Sequence, residues 1–96
     1  MDISKKSFFL AIYDADVGDI IWIEEINTFH KTKLEVLNIL SSVTSDGLED
    51  ENELNEYKKF NFKEEYEKFK NKNFEKEWWS LWLPGKHRLI TVRMKD

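Results

Sequence analysis

The chain has 96 residues, no cysteine and a formal net charge of −4, with 41% hydrophobic and 15% aromatic residues. The missing cysteine excludes a disulfide framework and a thiolate zinc site. The acidic balance argues against a nucleic-acid binder, whose electrostatic footprint is usually basic.

The length suits one domain, 1–96, with a hydrophobic core of its own. With 3 glycines and 1 proline, little room is left for long flexible linkers. Lys5-Lys6 followed by the apolar run to Tyr13 has the outline of a secretory signal. That run is short, however, and ends in Asp14 and Asp16 without a small-residue cleavage site. No stretch approaches the ~18 apolar residues of a membrane helix, so the expected setting is cytoplasmic, without a membrane partner.

Ser7 to Asp14 (SFFLAIYD) reads as a strand. Phe8, Leu10 and Ile12 share one side; Phe9, Ala11 and Tyr13 share the other. Both sides are apolar, which places this strand inside a sheet. Ala15 to Asp19 carries aspartates and a glycine between two apolar runs, the pattern of a short hairpin loop. Ile20 to Ile26 is the return strand, with Ile20, Trp22, Glu24 and Ile26 on one side. The adjacent Glu24-Glu25 suggests that the strand leaves the core there or bulges.

Thr32-Lys33-Leu34-Glu35 fits a capping box, and the apolar stripe Val36, Leu37, Leu40, Val43 continues a helix to about Ser42. Asp46 to Glu56 then carries six acids and no base: Asp46, Glu49, Asp50, Glu51, Glu53 and Glu56. Its composition suits a helical turn or a loop equally. From Tyr57 to Lys76 the sign reverses, with seven lysines against four glutamates. Asn61 caps a second helix with Glu64 and Glu65 in its first turn, and Phe62, Tyr66 and Phe69 form its apolar side.

The segment Glu77 to Met94 reads as a second hairpin around Pro84-Gly85, a pair suited to a type II turn. Ile90, Val92 and Met94 point one way; Leu89, Thr91 and Arg93 point the other. On the first strand Trp79, Leu81 and Leu83 oppose Trp78, Ser80 and Trp82. Two readings follow. A strand in the middle of the sheet would be covered on both sides, as large aromatics tend to be. Alternatively, Trp78 and Trp82 are half-exposed anchors for a partner, since tryptophan is enriched at interface hot spots.

The expected fold is α+β: two β-hairpins forming an antiparallel four-stranded sheet with one or two helices on one face, in the order ββααββ. Because strands 1 and 3 are apolar on both sides, part of the second face would also be covered, for instance by another copy of the chain.

Reactive constellations are scarce. His30 and His87 stand alone in sequence, without ligand spacing. The glycines at 18, 47 and 85 build no phosphate loop, and no serine sits in a nucleophile elbow. Glu24 and Glu25, as strand neighbours, face opposite ways. No catalytic residue, cofactor or metal is expected, and the chain reads as a non-enzymatic binding protein.

The residues expected to bind a partner are Asp46, Glu49, Asp50, Glu51, Glu53, Glu56, Trp78 and Trp82. The expected role is a protein inhibitor, of immunity or phage counter-defence type. Its acidic segment would meet the basic surface of another protein, such as a nucleic-acid-processing enzyme. One alternative is a nucleic-acid-binding accessory protein using the lysine- and aromatic-rich segment 58–76, although its interspersed glutamates favour a plain amphipathic helix. Another is a structural homodimer subunit.

Overall fold

Two hairpins with inward-facing apolar residues meet side by side. In the computed structural model, which describes residues 2–96, β1 (Phe8–Asp14) and β2 (Asp19–Ile26) form the first hairpin. β3 (Trp79–Leu83) and β4 (Arg88–Met94) form the second. β1 and β4 join them, giving the antiparallel order β2-β1-β4-β3. α1 (Phe29–Ser41), α2 (Glu51–Lys59) and α3 (Phe62–Lys70) lie on one face of the sheet. A single 3-10 turn, Ile3–Lys5, precedes β1.

The register fixes what points inward. Phe8 pairs with Met94 and Ile26, Leu10 with Val92 and Glu24, and Ile12 with Ile90 and Trp22. Phe8, Leu10, Ile90 and Val92 are buried under the helices, with Trp79 and Leu83 from β3. Val36 and Leu40 from α1 and Phe69 from α3 meet them from the helical side. Phe69 is enclosed by rings, its centroid 4.9 Å from Trp79, 5.5 Å from Phe74 and 5.9 Å from Phe29. Burying each such side chain contributes roughly 1.5–3 kcal/mol of transfer free energy.

Both hairpin turns follow the sequence. Gly18 and Gly85 take positive φ, 79° and 67°, a region that costs glycine nothing. Gly85 stands at the second central position of the Pro84-Gly85 turn, as a type II turn demands. Asn61 caps α3, accepting from the Glu64 amide at 3.2 Å.

Four details depart from the sequence reading. α1 begins four residues earlier, capped by Thr28, whose Oγ1 accepts from the Lys31 amide at 3.1 Å. Thr32 lies inside the helix, and its hydroxyl donates back to the Thr28 carbonyl. Phe29 explains the earlier start: it packs on Phe8, with ring centroids 5.1 Å apart. A third helix is present, because the second half of the acidic segment is helical in α2. There Asp50 supplies the cap, accepting from the Asn52 and Glu53 amides.

The bulge in β2 falls at Ile21, where the register shifts between Ile12 and Tyr13. Glu24 and Glu25 pair regularly with Leu10 and Phe9. The extra residue turns Ile20 to the same side as Ile23, opposite to the reading from strict alternation. Finally, β3 is an edge strand of the sheet, so it is not the doubly covered central strand. No helix among the described residues is long and apolar enough to cross a membrane.

Candidate partner-binding surface

The side of the sheet away from the helices is built from three cross-strand rows. At one end Phe9 stands between Arg93 and Glu25, and Trp78, just ahead of β3, lies against Arg93. In the middle stand Ser80, Thr91, Ala11 and Ile23. At the other end stand Trp82, Leu89, Tyr13 and Ile20. Trp78 is 66% exposed, Trp82 54% and Ile23 63%. Three strand spacings and four residue steps make the sheet area spanned roughly 14 Å on a side. Exposed apolar patches rimmed by polar residues mark interaction sites on monomers.

The rows are organised within themselves. The Arg93 guanidinium lies over both the Phe9 and Trp78 rings, at 4.5 and 5.4 Å from their centroids. Lys95 pairs with Glu25 beside it. At the far end the Tyr13 and Trp82 rings meet edge to face across Leu89, 6.4 Å between centroids. The middle row carries the shorter side chains Ser80, Thr91 and Ala11 between two aromatic ends.

The acidic residues take different places. Asp46, Glu49, Glu51 and Glu56 are exposed. Asp50 is used as the α2 cap. Glu53 is only partly exposed and reaches His87, with Oε1 3.1 Å from Nε2. The second ring nitrogen of His87, Nδ1, is 3.1 Å from Asp16 Oδ1. Glu56 and Trp82 line one open cleft with Phe60, Glu64, Glu65 and Pro84. The structure thus joins Trp82 to the acidic segment through Glu56. Trp78 lies at the opposite end of the outer face, beside Arg93.

Asp14 anchors the end of β1 at the β1–β2 turn. Burial pushes its carboxyl up, but the Val17 and Asp16 amides and the Arg88 guanidinium outweigh that and hold it below the usual carboxylate range. In α3, Lys68 lies near Glu64 and Glu65, and Lys70 near Glu67. Just beyond it Lys72 pairs with Glu77. These carboxylates raise the Lys68 and Lys70 ammonium groups above their ordinary value.

Of the two histidines, His30 sits exposed in the first turn of α1, and His87 lies between two carboxylates. Among the described residues no group of three or more His, Asp or Glu is placed to hold a metal ion. Sequence reasoning missed Phe9, Tyr13 and Ile23 as surface residues. For Phe9 and Tyr13 the signal was available: a strand apolar on both sides, with helices enough for one face. Comparison with family models, with curated proteins and with solved structures finds no match for this chain.

Proposed function

We propose that this chain is a small binding protein that docks the outer face of its sheet on another protein, acting as an inhibitor of that partner. The observation that carries this reading is the uncovered row Trp82, Leu89, Tyr13 and Ile20, which borders the acidic cleft at Glu56. Exposed aromatic anchors with charge beside them fit an interface, where such residues carry much of the binding energy. At the Trp82 end the margin is acidic through Glu56, Glu64 and Glu65 of the shared cleft, with Glu49 and Glu51 also in solvent on the acidic segment. The complementary partner is therefore a protein with an apolar surface and a basic patch that meets the Trp82 end. Immunity proteins and phage counter-defence proteins are inhibitors of this kind, and a nucleic-acid-processing enzyme offers such a rim.

The nucleic-acid reading is weaker than composition alone suggests. Lys68, Lys70 and Lys72 of the 58–76 segment are occupied by neighbouring glutamates, and the α3 residues that share a cleft with Trp82 are the acids Glu64 and Glu65.

The test is retention of a cellular protein by the immobilised chain, compared across variants. Trp78→Ser with Trp82→Ser should release it. Glu49→Gln, Glu51→Gln and Glu56→Gln together should weaken it and flatten its salt dependence. Asp50 and Glu53 are left intact because both hold α2 in place. Equal retention by all these variants defeats the reading. Retention of single-stranded RNA in place of a protein favours the nucleic-acid alternative.

A further inference from the structure

α2 is the least anchored element of the fold, with no buried residue. Three contacts tie its neighbourhood to the β3–β4 turn. Leu48 lies against Gly85, so closely that a Cβ there would come within 2.6 Å of its Cδ2. The Lys86 ammonium reaches the Asp46 carbonyl at 3.4 Å. His87 reaches Glu53 in α2 through Nε2 and Asp16 in the β1–β2 turn through Nδ1, each at 3.1 Å.

The last contact is chemically distinctive. Ionised carboxylates only accept, and a neutral imidazole donates from one nitrogen alone. Both His87 contacts are satisfied only by the imidazolium. The other charged groups at this corner are committed elsewhere. Arg88 Nε donates to Asp14 at 3.2 Å, and Lys86 is turned to the Asp46 carbonyl. Asp16 and Glu53 are thus the charges that face the ring. The backbone supports the placement as well. His87 takes a φ of 54°, a left-handed conformation in which histidine is enriched among non-glycine residues.

We propose that His87 is a proton-operated clasp that fastens α2 to the end of the sheet when doubly protonated and releases Glu53 when neutral. The Asp16 carboxylate, which meets Nδ1 through both oxygens, keeps the remaining proton, so the lost contact is the one to α2. The hydrogen bond and charge of Asp16, reinforced by Glu53, raise the imidazole above its ordinary value of 6.5. The sign follows: the clasp is fully formed below that ordinary value and is lost as pH rises through the higher folded value. If the outer face and its acidic margin bind a partner as proposed above, the clasp also sets how Glu51 and Glu56 are presented to it.

The experiment uses the chain alone, so its outcome is independent of any partner. The His87 ring is titrated by NMR while amide exchange in α2 is followed from about pH 5.5 to 8.5, corrected for intrinsic rates. His87 should titrate above its ordinary value. Protection of α2, relative to α1, should fall by roughly two- to fivefold with the same midpoint, the range of an exposed charged pair. Glu53→Gln should remove the α2 step and lower the His87 midpoint. His87→Asn, which tolerates the left-handed backbone, should leave α2 weakly protected at every pH. An α2 protection that ignores pH in the unmodified chain, or an unchanged step in Glu53→Gln, overturns the proposal.

Discussion

The guanidinium of Arg93 stands 4.5 Å from the centre of the Phe9 ring, on the face of the sheet that no helix covers. The pair sits in adjacent strands at matched register, with Trp78 on the other side of Arg93. A cation within reach of two rings organises one end of the outer face. Arg93→Ala should therefore destabilise the fold by about 0.5–1 kcal/mol, as expected for a partly exposed cation–π contact. Arg93→Lys should recover part of this and no more, since the planar group that stacks is lost. Urea unfolding of the three proteins measures both.

The ring cluster around Phe69 makes a second, larger demand. Phe69 is fully buried, and Phe29, Tyr66, Phe74 and Trp79 surround it. Phe69→Ala should cost about 3–5 kcal/mol, because the rings around the cavity belong to four separate segments that cannot all close on it. Phe62→Ala, an exposed ring on the same helix, should change stability by within about 0.5 kcal/mol. Equal losses in chemical denaturation would contradict the placement of α3.

Two glycines with similar backbone angles should differ under the same substitution. Gly18→Ala meets open space and bears only the cost of left-handed backbone, about 1–2 kcal/mol. Gly85→Ala bears the same cost and also drives Leu48 from its seat. Its loss should exceed that of Gly18→Ala, and Leu48→Ala introduced alongside should remove the excess. A double-mutant cycle reads this coupling directly.

The acid limb of stability should depend on Asp14. Its folded pKa lies below the ordinary 3.8. The group therefore contributes stability above that ordinary value and loses it as pH falls through the lower folded value. Asp14→Asn keeps an acceptor for the Asp16 and Val17 amides but forfeits the Arg88 ion pair. The variant should melt lower at neutral pH, and the gap should narrow in acid. Thermal melts from about pH 2 to pH 7 provide the check.

How much of this was legible depended on how unambiguous each local signal was. The β4 alternation of Ile90, Val92 and Met94 against Leu89, Thr91 and Arg93 has one reading, and the structure has it. Asn61 ahead of Glu64 and Glu65 likewise marks the start of α3 with no competitor. Thr32 is the better cap in isolation, since Glu35 completes a capping box and Lys31 follows Thr28 at the same spacing. The choice between them is made by Phe29, whose burial against Phe8 is a tertiary fact. The bulge was invisible because Ile20, Ile21, Trp22 and Ile23 are all apolar, so a slip of one residue leaves the pattern unchanged.

α2 was hidden for a different reason. Its apolar residues, Leu54 and Tyr57, are too few to set a period, and its attachment runs from Leu48 and Glu53 to Gly85 and His87, more than thirty residues further along the chain. The candidate surface was half legible. Two-sided apolarity in β1 and β3 signals that a second face is waiting to be covered, but pattern alone cannot say whether the chain covers it itself. Trp82 belongs to an edge strand and Trp78 immediately precedes it, and both rings stand in solvent, contrary to the general tendency of large aromatics.

The central claim is that the outer face of the sheet is the working surface. Oxidative footprinting of the chain, alone and bound to the protein it retains from cells, tests this most directly. The account predicts that Trp78, Trp82 and Tyr13 become protected on binding while Leu34 on the helical layer keeps its reactivity. Protection confined to the helical layer, with both tryptophans as reactive as in the free chain, would contradict it.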